Sequence, residues 1–184
     1  MTGVARSSNS PSLGRMERLE TGMRGYVAHL WDYPELTIAI FGLQLHGPRG
    51  MEAYQREVAG ELEKTLVAAV GLLASRQFEI GDEFVSLQYW RSHADLARFG
   101  HALPHTRWWR WLNIHAAELD IGFYHEIYRP YAAEAIYEAG TSPVGPATFA
   151  TTSSVVGGEG KSIERQRRFR ESVKLALPAI KHEI

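Results

Sequence analysis

An α+β fold is predicted for this chain of 184 residues by three observations. Short runs with alternating apolar residues stand apart from longer runs in which apolar residues recur every three or four positions. The two kinds follow one another as strand, helix, strand, strand, helix, strand, and a Gly-Asp turn joins the middle pair of strands. This is the order of a ferredoxin-like βαββαβ unit, an antiparallel sheet with its helices on one face. The other face needs cover, and two copies can supply it for each other by packing sheet on sheet into a barrel, so a homodimer is expected.

The first strand is read over residues 36–46, which are rich in β-branched and aliphatic side chains and closed by Gly47-Pro48. Gly42 inside it marks a bulge or the close approach of another group. Over 51–70, Met51, Tyr54, Val58, Leu62, Leu66 and Ala69 recur at helical spacing between charged residues, the pattern of an amphipathic helix. Residues 71–79 and 84–90 flank Ile80-Gly81-Asp82-Glu83 and form a hairpin. Its second arm carries Phe84, Ser86, Gln88 and Trp90 on one face, Val85, Leu87 and Tyr89 on the other. Ser92 caps a short helix with Asp95 three positions on, Leu103-Pro104 breaks it, and a second helix covers 104–117. The strand Asp120 to Tyr128 follows, and 134–137 add an edge strand.

The chain divides into a disordered lead-in over 1–22, a ferredoxin-like domain over 23–140, a flexible Gly, Pro, Ser and Thr loop over 141–160, and a helical arm over 161–184 suited to grip a partner subunit. Lys+Arg number 20 against 21 Asp+Glu, which points away from a nucleic-acid partner, and Glu164 and Glu171 interrupt the basic run Arg165, Arg167, Arg168, Arg170. With no cysteine, disulfides, thiolate metal sites and thiol nucleophiles are excluded, and a cytoplasmic location is expected. The lead-in has no apolar core for a secretory signal, and no apolar run is long enough to cross a bilayer, so no membrane is involved.

His125 is the foremost candidate site residue, because strand alternation places it on the apolar face of Ile121, Phe123 and Ile127. Its ordinary reading is a core histidine satisfied by backbone; its functional reading is a general acid/base facing a pocket. Glu126 and Tyr128 point to the opposite face and form no dyad with it. His105, at the start of the second helix, shares a face with Trp108, Trp109 and Leu112, where the helix dipole favours the neutral ring. A neutral imidazole on an apolar wall suits either a core histidine or an axial haem ligand. Gln88 and Tyr89 read as pocket donors, one on each face of their strand, and Trp90 as pocket rim. No dinucleotide or phosphate fingerprint is present, and no metal site is expected apart from haem iron on His105.

Three segments together resemble a known family: Ser86-Leu87-Gln88-Tyr89-Trp90-Arg91-Ser92; Pro104-His105 with Trp108 and Trp111; and Gly122-Phe123-Tyr124-His125-Glu126-Ile127-Tyr128, ending in Glu134-Ala135-Ile136-Tyr137. It is a domain family of formerly unknown function grouped with a monooxygenase of fumagillin biosynthesis, and the likeness runs from about 36 to 144. It implies a dimeric α/β barrel. Three departures concern loops and pocket: Tyr124 replaces the usual tryptophan before the histidine, Glu138 to Pro143 replaces an Asn-Met-Pro-Pro type loop, and the connection 46–50 is short. Relatives in this superfold include cofactor-free monooxygenases of aromatic polyketides, and haem proteins such as aldoxime dehydratases, chlorite dismutases and dye-decolourising peroxidases. His105 ahead of a His-Glu strand looks like the aldoxime dehydratase arrangement.

The function expected is a monooxygenase of secondary metabolism acting with dioxygen on a small apolar or aromatic metabolite. His125, Gln88 and Tyr89 are its catalytic candidates, and Phe41, Trp90, Trp108, Leu112 and Phe123 its pocket walls. Two alternatives stand beside it. One is a haem b enzyme of dehydratase, oxygenase or peroxidase type, with His105 as axial ligand and His125 distal. The other is a ligand-binding subunit without turnover.

Overall fold

The structure, a computed structural model, describes residues 25–155 and 161–176. The lead-in expected over 1–22 and the end of the arm, 177–184, lie outside the described residues. Strands β2 (Thr37–Leu45), β3 (Leu72–Ile80), β4 (Glu83–Trp90) and β5 (Ile121–Tyr128) form one antiparallel sheet in the order β3-β4-β2-β5. This is the ferredoxin-like arrangement, with the first and last strands of the βαββαβ unit paired at the centre and edge. The hairpin turns at Gly81, whose φ of 66° is one that glycine adopts without strain.

Between β2 and β3 run α1 (Pro48–Tyr54), a π-helical turn (Gln55–Ala59) and α2 (Gly60–Val67). Proline at N1 starts the segment, where its missing N–H costs nothing. The π turn has a visible cause in the sequence. Tyr54, Val58, Leu62 and Leu66 are each four apart, and at 3.6 residues per turn such a row drifts off one face. A wider turn restores the phase, so that Tyr54, Val58 and Leu66 are all buried. After β4, Ser92 caps α3 (His93–Gly100) by accepting the Asp95 N–H at 3.2 Å. The break at Leu103-Pro104 then separates α3 from α4 (His105–Leu119). Asp120, in the left-handed region at φ 54°, ends α4 and lets the chain enter β5 within one residue.

These helices cover one face of the sheet. The core beneath them joins Leu43, Leu45, Phe84 and Ile121 of the strands to Tyr54, Val58, Trp108, Leu112 and Ala116 of the helices. On the reverse face the described residues pack against the sheet at one end. Tyr89 lies beneath Phe149, ring centroids 5.7 Å apart, beside Leu73, the extra residue of a bulge in β3. Gly42 answers the question that its place in a strand raises: Tyr124 crosses it and donates to Glu83 Oε1 at 2.8 Å, and a Cβ on residue 42 would sit 2.1 Å from Tyr124 Cζ.

Two expectations are corrected. The residues around 134–137 do not extend the main sheet; β6 (Ile136–Glu138) belongs to a second, three-stranded sheet with β1 (Gly25–Ala28) and β7 (Thr152–Ser154), in the order β6-β1-β7. The stretch after 141 is not a loose loop up to residue 155. Aromatic side chains hold it: the Tyr137 hydroxyl donates to the Val144 carbonyl and accepts from the Ala147 N–H, and the Tyr33 hydroxyl donates to the Phe149 carbonyl. The terminal helix α5 (Ser162–Ala176) seats on its own chain. Arg165, Phe169 and Val173, four apart, form its buried stripe, the last two against Leu30 and Leu36. Arg165, only 5% exposed, meets Glu134 at 2.7 Å, and Ser162 and Gln166 donate to the same carboxylate. No helix among the described residues is long and apolar enough to cross a membrane.

Two substitutions test this framework. Gly42→Ala should lower unfolding free energy in urea by about 1–3 kcal/mol through overpacking, and adding Tyr124→Ala should recover part of the loss, a coupling that independent sites would lack. Glu134→Gln should cost about 3 kcal/mol by leaving the buried guanidinium with a neutral partner, the low end for such pairs because Glu134 is partly open to water. Burial raises the Glu134 carboxyl, but the donors from Ser162, Arg165 and Gln166 more than offset it and hold the group below its ordinary value. Its contribution is therefore present at neutral pH and lost as pH falls through that depressed value, so wild type and Glu134→Gln should converge in acid melts.

Candidate active site

Between the sheet and helices α1 to α4 lies a cavity floored by alternating strand residues. In register, Phe41 of β2 stands opposite both Ser86 of β4 and His125 of β5. All three therefore share the helix-facing side, with Gln88 one step along from Ser86. Two strand spacings put the Ser86 and His125 backbones roughly 10 Å apart with Phe41 between them. Trp108, Trp109 and Leu112 of α4, with Val58, Leu62, Leu96 and Phe99, form the roof and sides. The void is about 610 Å³ counted out to its mouth. It is a slim slot between aromatic rings. Among the described residues lining it there is no Asp, Glu, Lys or Arg.

The polar groups form two sets. On β4, the Trp90 indole N–H donates to Gln88 Oε1 at 3.0 Å and the Gln88 amide donates to Ser86 Oγ at 3.1 Å. Because an indole can only donate, this fixes which end of the Gln88 amide is oxygen and gives the chain one direction, ending at the Ser86 hydroxyl. On α4, His105 Nδ1 donates to the Gly100 carbonyl at 2.9 Å and Nε2 accepts the Trp109 indole N–H at 3.2 Å. A carbonyl on one nitrogen and a donor on the other require the neutral ring. Burial first of all, and then the charges of His125 and His101, push its pKa down, against the bond to Gly100 that raises it.

His125 differs from both sets. Neither ring nitrogen has a hydrogen-bond partner among the described residues. Its ring lies 6.4 Å from Phe41 and 6.1 Å from Trp109, the residue as a whole is exposed to solvent, and burial of the inner part of the ring pushes its pKa down. A neutral imidazole with an unused lone pair faces an apolar slot. That is the state a general base requires.

The cavity thus brings together Phe41, Gln88, His105, Trp108, Leu112 and His125 from the sequence-read candidates. It leaves out three. Tyr89 points to the reverse face under Phe149, because alternation along β4 separates it from Gln88. Trp90 is completely buried beneath the slot rather than at a rim and acts on it through Gln88. Phe123 packs edge-on to Trp109, centroids 5.4 Å apart, behind the wall. Sequence reading passed over Ser86 as a cavity group and Trp109 as the partner of His105. The signals were the two-residue spacing from Gln88 and the four-residue spacing from His105.

The haem reading can be tested on this geometry. An axial histidine needs a free ring nitrogen. Here Nδ1 spends its proton on Gly100 and Nε2 receives Trp109, so neither nitrogen is free. As arranged, these residues do not fit haem.

None of the curated proteins compared matches this chain. An aldoxime dehydratase crystal structure is similar at 20% identity and TM-score 0.57, over 82% of this chain but 44% of that one. At this identity the likeness is one of fold. SnoaB, a cofactor-independent oxygenase from Streptomyces nogalater, matches 52% of this chain and 93% of its own at 12% identity and TM-score 0.37. A conserved protein from Methanosarcina mazei Go1 matches 54% of this chain and 98% of its own at 16% identity and TM-score 0.43. The family model described as monooxygenase af470-like matches residues 36–145, the stretch from the start of β2 to the turn over Tyr89, which holds every residue of the cavity. That stretch is more than half of the chain, and the protein belongs to the monooxygenase af470-like family.

Proposed function

We propose that this protein is a cofactor-free monooxygenase of a small apolar or aromatic metabolite, with His125 as general base. The observation that carries this reading is the unpartnered, neutral imidazole of His125 facing an uncharged aromatic slot, with buried amide and hydroxyl donors of Gln88 and Ser86 across it. His125 takes a proton from an acidic C–H of the substrate. Gln88 stabilises the charge that moves onto the conjugated oxygen. The carbanion gives one electron to dioxygen and the two radicals combine at carbon. The hydroperoxide formed at a CH₂ position then loses water, so that R₂CH₂ + O₂ becomes R₂C=O + H₂O and the substrate itself supplies all the electrons. Secondary metabolism is the setting that fits such a substrate.

A second copy completes the assembly in this reading. Ile38, Ile40, Val85 and Leu87 lie on the reverse face of the sheet and remain half-buried, which supports pairing of two sheets face to face.

Screening flat ketones and phenols by oxygen uptake should reveal a substrate on which His125→Phe lowers kcat/KM by at least a hundredfold, the usual reach of a general base. The wild-type rate should fall on the acid side as His125 gains its proton, through a pKa below the ordinary 6.5, and stay level through neutral pH. A variant that keeps its rate, or a rate rising towards acid, would falsify the assignment. Protein expressed with haem supplied should show no stoichiometric Soret band. A strong band abolished by His105→Ala would replace this reading with the haem one.

A further inference from the structure

Among the described buried side-chain atoms, one polar atom has no hydrogen-bond partner: Nε1 of Trp108. The residue is 6% exposed and forms part of the cavity wall. Unpaired buried donors are rare in folded proteins, and each calls for an explanation. Ser86, 1% exposed, ends the donor chain that begins at Trp90. Its oxygen accepts from Gln88, so its own proton is left to donate, and one N–H of the Gln88 amide is likewise uncommitted. Ser86, Gln88 and Trp108 thus carry three donor protons with no acceptor among the described residues. Among the described residues, the walls hold no lysine or arginine to balance a carboxylate or phosphate and no carboxylate to receive an ammonium.

We infer that the slot is built for a flat, neutral, carbonyl-bearing ligand, a ketone or enone, whose oxygen is received by donors drawn from Ser86, Gln88 and the Trp108 indole N–H. A charged acid would enter without a counter-ion, which burial makes strongly unfavourable. A pure hydrocarbon would leave all three donors unsatisfied, which is the larger part of how polar sites reject apolar analogues. Trp108 is thereby a specificity-determining residue. The inference rests on the oxygenase reading only where it places the reacting C–H at His125, roughly two strand spacings from Ser86.

Three probes of one skeleton decide it: 1-tetralone, tetralin and 1-naphthoate, titrated calorimetrically into the full-length protein. The ketone should bind at least tenfold more tightly than the hydrocarbon, and the carboxylate no better than the hydrocarbon. Trp108→Phe and Ser86→Ala should each cut the ketone's advantage over tetralin about threefold to tenfold, with thermal melts confirming that both variants fold. Equal binding of ketone and hydrocarbon, preference for naphthoate, no binding of the ketone, or variants that weaken both neutral probes alike would each overturn it. Because binding is read without turnover, a ketone preference with no oxygen uptake on any ketone would uphold this inference and sink the oxygenase reading.

Discussion

A slip of one residue between β2 and β5 would turn His125 to the outside of the sheet and bring Tyr124 into the cavity. The register of β2 against its two neighbours is thus the constraint on which the rest depends. It sets Phe41 between Ser86 and His125 and determines which side chains of three strands meet the helices. The reverse face supplies a lock for it. Tyr124 lies across Gly42 and ends on Glu83, so one side chain spans β5, β2 and β4, and it can do so only where β2 lacks a side chain. Apolar burial pulls the strands together, and this clasp states which residues face one another.

The site that results is held apart from charge. The ion pairs described here lie outside it, on helix surfaces or at the seat of α5, and the cavity contains imidazole, indole, amide and hydroxyl groups. In such surroundings an imidazolium is costly, so both histidines titrate below their ordinary range. The difference between them comes from neighbours. His105 is spent on two hydrogen bonds, while His125, two strands from the nearest polar set on the floor, keeps its lone pair.

Much of this was legible in the sequence, and the reasons are specific. Period-two alternation placed His125 with Phe123, and Ser86 and Gln88 with Phe84, because one face of an antiparallel sheet is buried and register cannot drift. Ser92 and Asp95 announced a helix start, and Gly42 announced a close approach. What could not be read was non-local. Strands of three or four residues such as Gly25–Ala28 and Thr152–Ser154 carry too few positions to show a period, and their pairing joins residues over a hundred positions apart. The fate of 141–155 depended on Tyr33 and Tyr137 from elsewhere. His105 was visible as a candidate, but that Trp109 would occupy its second nitrogen depended on side-chain rotamers, which composition does not encode.

That last contact couples two events. The Trp109 ring reaches from α4 to Phe41, Phe123 and His125 on the sheet, and its N–H sits on His105. Any displacement that lifts the ring to admit a guest also strips His105 Nε2 of its donor. With the indole turned away, His105 Nε2 becomes an open acceptor, so the polarity of the slot depends on where the Trp109 ring lies.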